Sequence, residues 1–128
     1  MKILGIGVDI VDNSRIKKLI INKNFINRVF STEEILESKK KKNKASFFSK
    51  RFAAKEAFSK ALGTGFRNGL NFADISVISR RNGKPLIKIN KKLKKIIKKK
   101  FKTLKINALL SISDEKKHSI AYVIIEKK

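Results

Sequence analysis

None of the 128 residues is a cysteine. That absence excludes disulfides, iron–sulfur clusters, zinc–thiolate sites and thiol catalysis, so any chemistry must run on oxygen, amine and backbone groups. Histidine is nearly absent too. His118 is the only one, which rules out a histidine cluster, and its position at a predicted hairpin edge favours a structural role over membership of a Ser-His-Asp triad. No stretch approaches the roughly 18 apolar residues of a membrane span. The opening Met1-Lys2-Ile3-Leu4-Gly5 turns polar at Asp9, too soon for a signal peptide, so a cytoplasmic protein is expected. Acidic residues are scarce, 10 against 33 Lys and Arg for a net charge of +23, a field that draws in anionic ligands and partners.

What is present is sufficient for a core. Apolar residues make up 41% of the chain and include 19 isoleucines, and the length suits one domain spanning residues 1–128. Lys outnumbers Arg by 27 to 6, and Ile, Asn and Phe are also abundant, a set with A- and T-rich codons. The runs Lys39–Lys42, Lys91–Lys95 and Lys98–Lys100 are therefore read as solvated surface enriched by drift.

Patterning gives the elements in turn. Ile3–Ile10 is a short β-branched apolar run that reads as a buried strand, interrupted by Asp9. Asp12-Asn13-Ser14 then supplies capping side chains for a basic amphipathic helix on Ile16, Leu19 and Ile20. Phe25–Phe30 adds a turn or two of helix, and Ser31 with Glu34 forms a capping box for the next. Ala45–Leu62, with Phe at 47, 48, 52 and 58 and Ala at 53, 54, 57 and 61, is the strongest helical pattern, closed by Gly63. Strands follow at Ile75–Ile78 and Pro85–Ile89 around Asn82-Gly83, then a helix over Lys91–Lys102, then strands at Ala108–Ser113 and Ile120–Ile125. Helices and strands mix without βα alternation, so the expected class is α+β, an antiparallel sheet packed with a long central helix.

Two carboxylates stand in unusual settings: Asp9 in an apolar strand and Glu56 in an alanine- and phenylalanine-rich helix. A buried carboxylate needs a cation or a metal. Glu56 and Lys60 share a helix face, with Arg51 and Lys55 on a neighbouring one. Two readings fit. Magnesium takes one or two carboxylates and completes its shell with phosphate oxygens and water while Lys and Arg neutralise the rest; alternatively, Glu56–Lys60 is an i,i+4 ion pair and Asp9 a strand-end acceptor. Gly5-Ile6-Gly7 opens like a dinucleotide fingerprint, but Ile10 stands where its third glycine belongs, so a Rossmann site is rejected. Gly63-Thr64-Gly65 suits either a phosphate contact or a helix cap. A small nucleic-acid-binding protein would also explain the charge, but the phenylalanines lie on apolar helical stripes and form no stacking platform, so neither a nucleic acid nor a membrane is expected as partner.

Together, Gly5-Ile6-Gly7-Val8-Asp9-Ile10-Val11 with Arg15-Ile16, Arg51-Phe52-Ala53-Ala54-Lys55-Glu56-Ala57-Phe58-Ser59-Lys60-Ala61-Leu62-Gly63-Thr64-Gly65, Asn82-Gly83-Lys84-Pro85 and the closing Ser111-Ile112-Ser113 strongly resemble the holo-[acyl-carrier-protein] synthase family, the small bacterial phosphopantetheinyl transferases. The resemblance spans nearly the whole chain. It implies an α+β fold, a homotrimer with sites shared between subunits, and Mg²⁺-dependent transfer of 4′-phosphopantetheine from coenzyme A to a serine of apo-acyl carrier protein for fatty-acid synthesis. By that resemblance Asp9 and Glu56 bind the metal and Glu56 and Lys60 are catalytic. Arg51, Lys60 and Gly65 contact coenzyme A, while Arg15, Lys17 and Lys18 dock the carrier. Many relatives carry histidine where this chain has Asp114.

Overall fold

Alternation in the first strand sets the architecture. β1 (Lys2–Asp12) turns Gly7 and Val11 inward and leaves Ile6, Val8 and Ile10 outward. The computed structural model describes residues 1–66 and 69–128; Arg67 and Asn68, in the glycine-containing loop, lie outside the described residues. After β1 come three short helices, α1 (Asn13–Leu19), α2 (Lys23–Val29) and α3 (Thr32–Ser38), and then the long α4 (Lys44–Leu62). A 3₁₀ turn, Phe72–Asp74, leads into the hairpin β2 (Ser76–Ser79) and β3 (Pro85–Lys88). α5 (Lys91–Phe101), β4 (Ile106–Asp114) and β5 (His118–Lys127) complete the chain. The main sheet is antiparallel in the order β1-β5-β4, and β2 and β3 pair separately. The α+β expectation holds.

Local signals account for the boundaries. The Ser31 hydroxyl accepts from Glu34 N at 3.2 Å while Glu34 Oε1 accepts from Ser31 N at 2.8 Å, the reciprocal capping box that starts α3. Asn43 Oδ1 caps α4 through Ser46 N at 3.0 Å, and Gly63, at φ 78°, ends it. The Asn82-Gly83 hairpin differs from a two-residue turn. Ser79 pairs with Pro85, so the loop is 80–84, and Gly83 takes the left-handed position at φ 83°.

α4 lies along β1 and β5 and is buried round most of its circumference, with Phe48, Phe58, Ala53, Ala54, Ala57 and Leu62 all essentially inaccessible. The expectation of a buried first strand needs correction, because only one face of β1 is covered. Register sets Val8 against Tyr122 and Ile10 against Ile120, and the outer face bares Ile6, Val8, Ile10, Leu109, Ile120 and Tyr122.

Candidate active site

The site begins with two missing side chains. A Cβ on Gly5 would overlap the Ala61 carbonyl oxygen, and one on Gly7 the Ala57 carbonyl oxygen, so only glycine lets β1 lie directly on the α4 backbone. Two residues beyond Gly7, Asp9 points to the same side as Gly7. It is thereby delivered to the flank of α4 that carries Lys60 and Glu56. Lys60 Nζ stands 3.2 Å from Asp9 Oδ1 and donates to Val8 O at 3.0 Å. The Asp9 carboxylate is largely covered while the ammonium is half exposed. Burial first, and then the Asp9 carboxylate, push the Glu56 carboxyl above its usual range; Lys60 and Arg15 pull it partly back. Two carboxylates that repel each other thus share one edge with a partly wetted ammonium, a charge set that suits a cation beside an anion.

Glu56 opens onto a cleft of about 720 Å³ shared with Arg15, Arg28, Phe52, Phe66 and Phe72. The Arg15 guanidinium sits over the Phe52 ring, 5.7 Å from its centroid. Lys18, three residues on, shares Arg15's side of α1. Lys17 does not: it borders a separate groove with Asn43 and Ala45, so the three expected docking residues do not form one row.

Of the cations expected beside Glu56, Lys60, Arg51 and Lys55, only Lys60 acts on it, joined by Arg15, which was expected only at the carrier. Lys55 is fully buried against Glu34, at 2.6 Å. Arg51 is nearly buried; it stacks on Phe47 at 3.8 Å and donates to Ser79 Oγ at 3.2 Å and Glu37 Oε1 at 3.4 Å. The reason is helical phase. Arg51 and Lys55 are four apart and share a face, whereas Arg51 and Glu56 diverge by about 140°. Arg51 instead lines a second cleft, of about 380 Å³, with Lys41, Lys42, Lys50, Pro85 and Asp114. Asp114 accepts there from Ser46 Oγ at 3.1 Å. Gly63 is the left-handed cap of α4, as the cap reading expected, and Gly65 N donates to Ser59 O at 3.3 Å just beyond it. The roles of Gly5 and Gly7, the aromatic cleft and Arg28 were not foreseen. The signal for the first was the pair of alanines, 57 and 61, one turn apart on the helix opposite two glycines.

This geometry has relatives. The model of the 4′-phosphopantetheinyl transferase superfamily matches residues 5–123. The chain belongs to that superfamily. A curated phosphopantetheinyl transferase, holo-[acyl-carrier-protein] synthase of Pelagibacter ubique, is 66% identical over 128 residues, covering 100% of both chains. Among solved structures, the synthase of Neisseria meningitidis superposes with a TM-score of 0.88 at 37% identity, covering 98% of this chain and 99% of that one. The synthase of Bacillus anthracis, in complex with coenzyme A (3′,5′-ADP), gives a TM-score of 0.82 at 33% identity over 100% of both. Among the described residues, no helix is long and apolar enough to cross a membrane.

Proposed function

We propose that this chain is a holo-[acyl-carrier-protein] synthase, transferring 4′-phosphopantetheine from coenzyme A to a serine hydroxyl of apo-acyl carrier protein in the cytoplasm, for fatty-acid synthesis. The observation that carries the reading is the convergence of Asp9, Glu56 and Lys60 on the edge where β1 touches α4. In the reaction the serine oxygen forms a bond to the β-phosphorus, and the bond from that phosphorus to the bridging oxygen breaks. Adenosine 3′,5′-bisphosphate leaves with the electron pair, and the serine proton passes to a base.

Glu56 is that base. Its raised pKa brings it closer to the working pH, which improves a carboxylate as proton acceptor. Lys60, half exposed and one turn away, neutralises the departing bisphosphate. Gly65, without a side chain and with open space beside it, leaves the coenzyme room to approach Lys60. The donor set fits Mg²⁺: two hard carboxylate oxygens from Asp9 and Glu56, with no third acidic or imidazole ligand grouped with them among the described residues, which leaves the octahedron to phosphate and water. Asp9 and Glu56 would hold the ion, which would supply electrostatic neutralisation of the pyrophosphate. Arg15 and Arg28 line the cleft, and with Lys18, one turn from Arg15 on α1, they suit an acidic carrier.

The two clefts also favour a homotrimer. Arg51 and its lysines line a cleft separate from that of Glu56, and a coenzyme A bound between two copies would meet one cleft from each. The uncovered outer sheet face, with Ile6, Val8, Ile10 and Tyr122 in a contiguous row, is the kind of apolar patch that marks a protein interface. Incubating the protein with coenzyme A, Mg²⁺ and a competent apo-carrier, and weighing the carrier, tests the activity. A gain of one phosphopantetheine, lost with chelator, is expected; no gain over a range of enzyme and metal concentrations refutes the reading.

A further inference from the structure

The one fully buried ion pair among the described residues lies beside the proposed site but outside its chemistry. Lys55 and Glu34 both have completely inaccessible side chains, with Nζ and Oε1 2.6 Å apart. An ammonium has three donors, and here all three find acceptors. One is the Glu34 carboxylate; the other two are the main-chain carbonyls of Phe72, at 3.0 Å, and Ile75. Glu34 is equally engaged, since Oε1 also accepts from Ser31 N and Oε2 from Val77 N at 3.1 Å. The pair therefore grips the segment 72–77 from two sides, through its carbonyls at the 3₁₀ turn and through an amide in β2.

That segment is a wall of the cleft that holds Glu56. Phe72, Ala73 and Asp74 line it. Phe72 stacks on Phe52 of α4 at 5.4 Å between centroids and 14° between planes, and on Phe66 at 3.8 Å and 21°. A buried ion pair adds little net stability over well-packed apolar residues of the same volume. What it adds here is a fixed location, because two carbonyls must stand where one ammonium can reach both. Lys55 immediately precedes Glu56, so the wall is referenced to the same turn of α4 that carries the carboxylate.

We propose that Lys55, paired with Glu34, is a positioning residue that anchors the 3₁₀ turn Phe72–Asp74 as the wall of the Glu56 cleft and thereby sets how well the cleft receives the acyl carrier protein. The inference rests on the reading of that cleft as the carrier-facing part of a phosphopantetheinyl transferase site. Coenzyme A is assigned to the Asp9–Glu56–Lys60 edge and the Arg51 cleft, and residues 72–74 belong to neither, so the wall bears on the carrier more than on coenzyme A.

The test uses the full chain. Lys55→Met alone strands a buried carboxylate and can fail to fold, so the informative variant is Lys55→Met/Glu34→Gln, which keeps the volumes and removes both charges. Expected results are a cooperative thermal transition, amide hydrogen exchange at Asp74, Ile75 and Val77 at least tenfold faster, and a KM for the carrier raised at least tenfold with the KM for coenzyme A within twofold. Because the chain has no cysteine, Lys55→Cys can be aminoethylated while unfolded and refolded; restoring the ammonium should return most of the carrier KM. A folded double variant whose carrier KM stays within twofold overturns the proposal, as does an equal rise in both KM values. Exchange is read without catalysis. If the parent transfers nothing, the proposed function fails and the carrier step with it, and the exchange rates still decide whether the pair anchors the turn.

Discussion

Two lysines five residues apart on α4 have opposite fates. Lys55 is wholly buried, with every donor engaged by the protein, while Lys60 is half exposed, with one carboxylate and one carbonyl. The same ammonium is saturated by protein acceptors in one place and left partly to solvent in the other. Position in the sequence motif does not separate them. What does is the number of protein acceptors each meets and how much water remains. A cation available to a ligand is one whose hydrogen-bonding capacity the fold has left incomplete.

The largest effect expected from this contrast is on stability. Lys55→Met should cost on the order of 3 to 5 kcal/mol in urea unfolding, because Glu34 is left charged and buried, whereas Lys60→Met should cost under about 1 kcal/mol, its pair with Asp9 being screened by solvent. Equal losses would erase the distinction between the two lysines.

Next comes turnover, where the order reverses among folded proteins. Asp9→Asn and Glu56→Gln should each reduce kcat about 10²- to 10³-fold, the range of a positioned electrostatic group, and Lys60→Met should lower kcat more than it raises either KM. Near-normal turnover in the carboxylate variants would leave Asp9 as the ion-pair partner of Lys60 and Glu56 with no part in the reaction.

A smaller effect has the opposite sign. The Glu56 carboxyl is held above its ordinary range, so its ionisation opposes folding. That contribution is absent at pH below the ordinary carboxylate range and develops as pH rises from there through the raised value. Glu56→Gln should therefore be the more thermostable protein at neutral pH and lose its advantage in acid, even as it loses activity. Added Mg²⁺ should raise the Tm of the parent and not of this variant. A variant no more stable than the parent at neutral pH would mean that Lys60 and Arg15 fully compensate the burial.

The smallest effects belong to the lysine surface. Replacing Lys91, Lys94 and Lys98 with Gln should change stability by no more than about 0.5 kcal/mol each and leave both KM values nearly unaltered at fixed ionic strength. Arg15→Glu should raise the carrier KM clearly. Lys41 and Lys42 refine the expectation of drift, since they line the Arg51 cleft; their double replacement with Gln should raise the KM for coenzyme A. A uniform response across all these lysines would point to net charge alone.

Much of the fold was readable because its signals are local. The Ser31–Glu34 capping box, the Gly63 cap and the period-3.6 phenylalanines of α4 each depend on residues within a few positions of one another. The Asp9–Glu56–Lys60 edge was readable for another reason: acids are rare here, and two stood in apolar settings. The same reasoning could not assign Arg51 and Lys55. Because α4 is buried on nearly every side, its sequence has no wet face from which to tell which cations turn toward the site. Glu34 completed a local motif and so gave no sign of its second bond to Lys55, 21 positions away. Tertiary pairing of that kind is decided by how α3, β2 and the 3₁₀ turn meet, which composition and spacing do not record.

The strand order β1-β5-β4 also has a temporal side. β5, the last strand along the chain, is the middle of the sheet, and its register sets Lys127 against Lys2. During synthesis Asp9 leaves the ribosome well before β5 (His118–Lys127), the strand that pairs beside it. The sheet that backs the Asp9–Glu56–Lys60 edge therefore cannot be completed as the chain emerges. It waits for a closure between distant parts of the polypeptide, the kind of contact that slows folding, and until then the isoleucines of β1 depend on whatever shields a nascent chain.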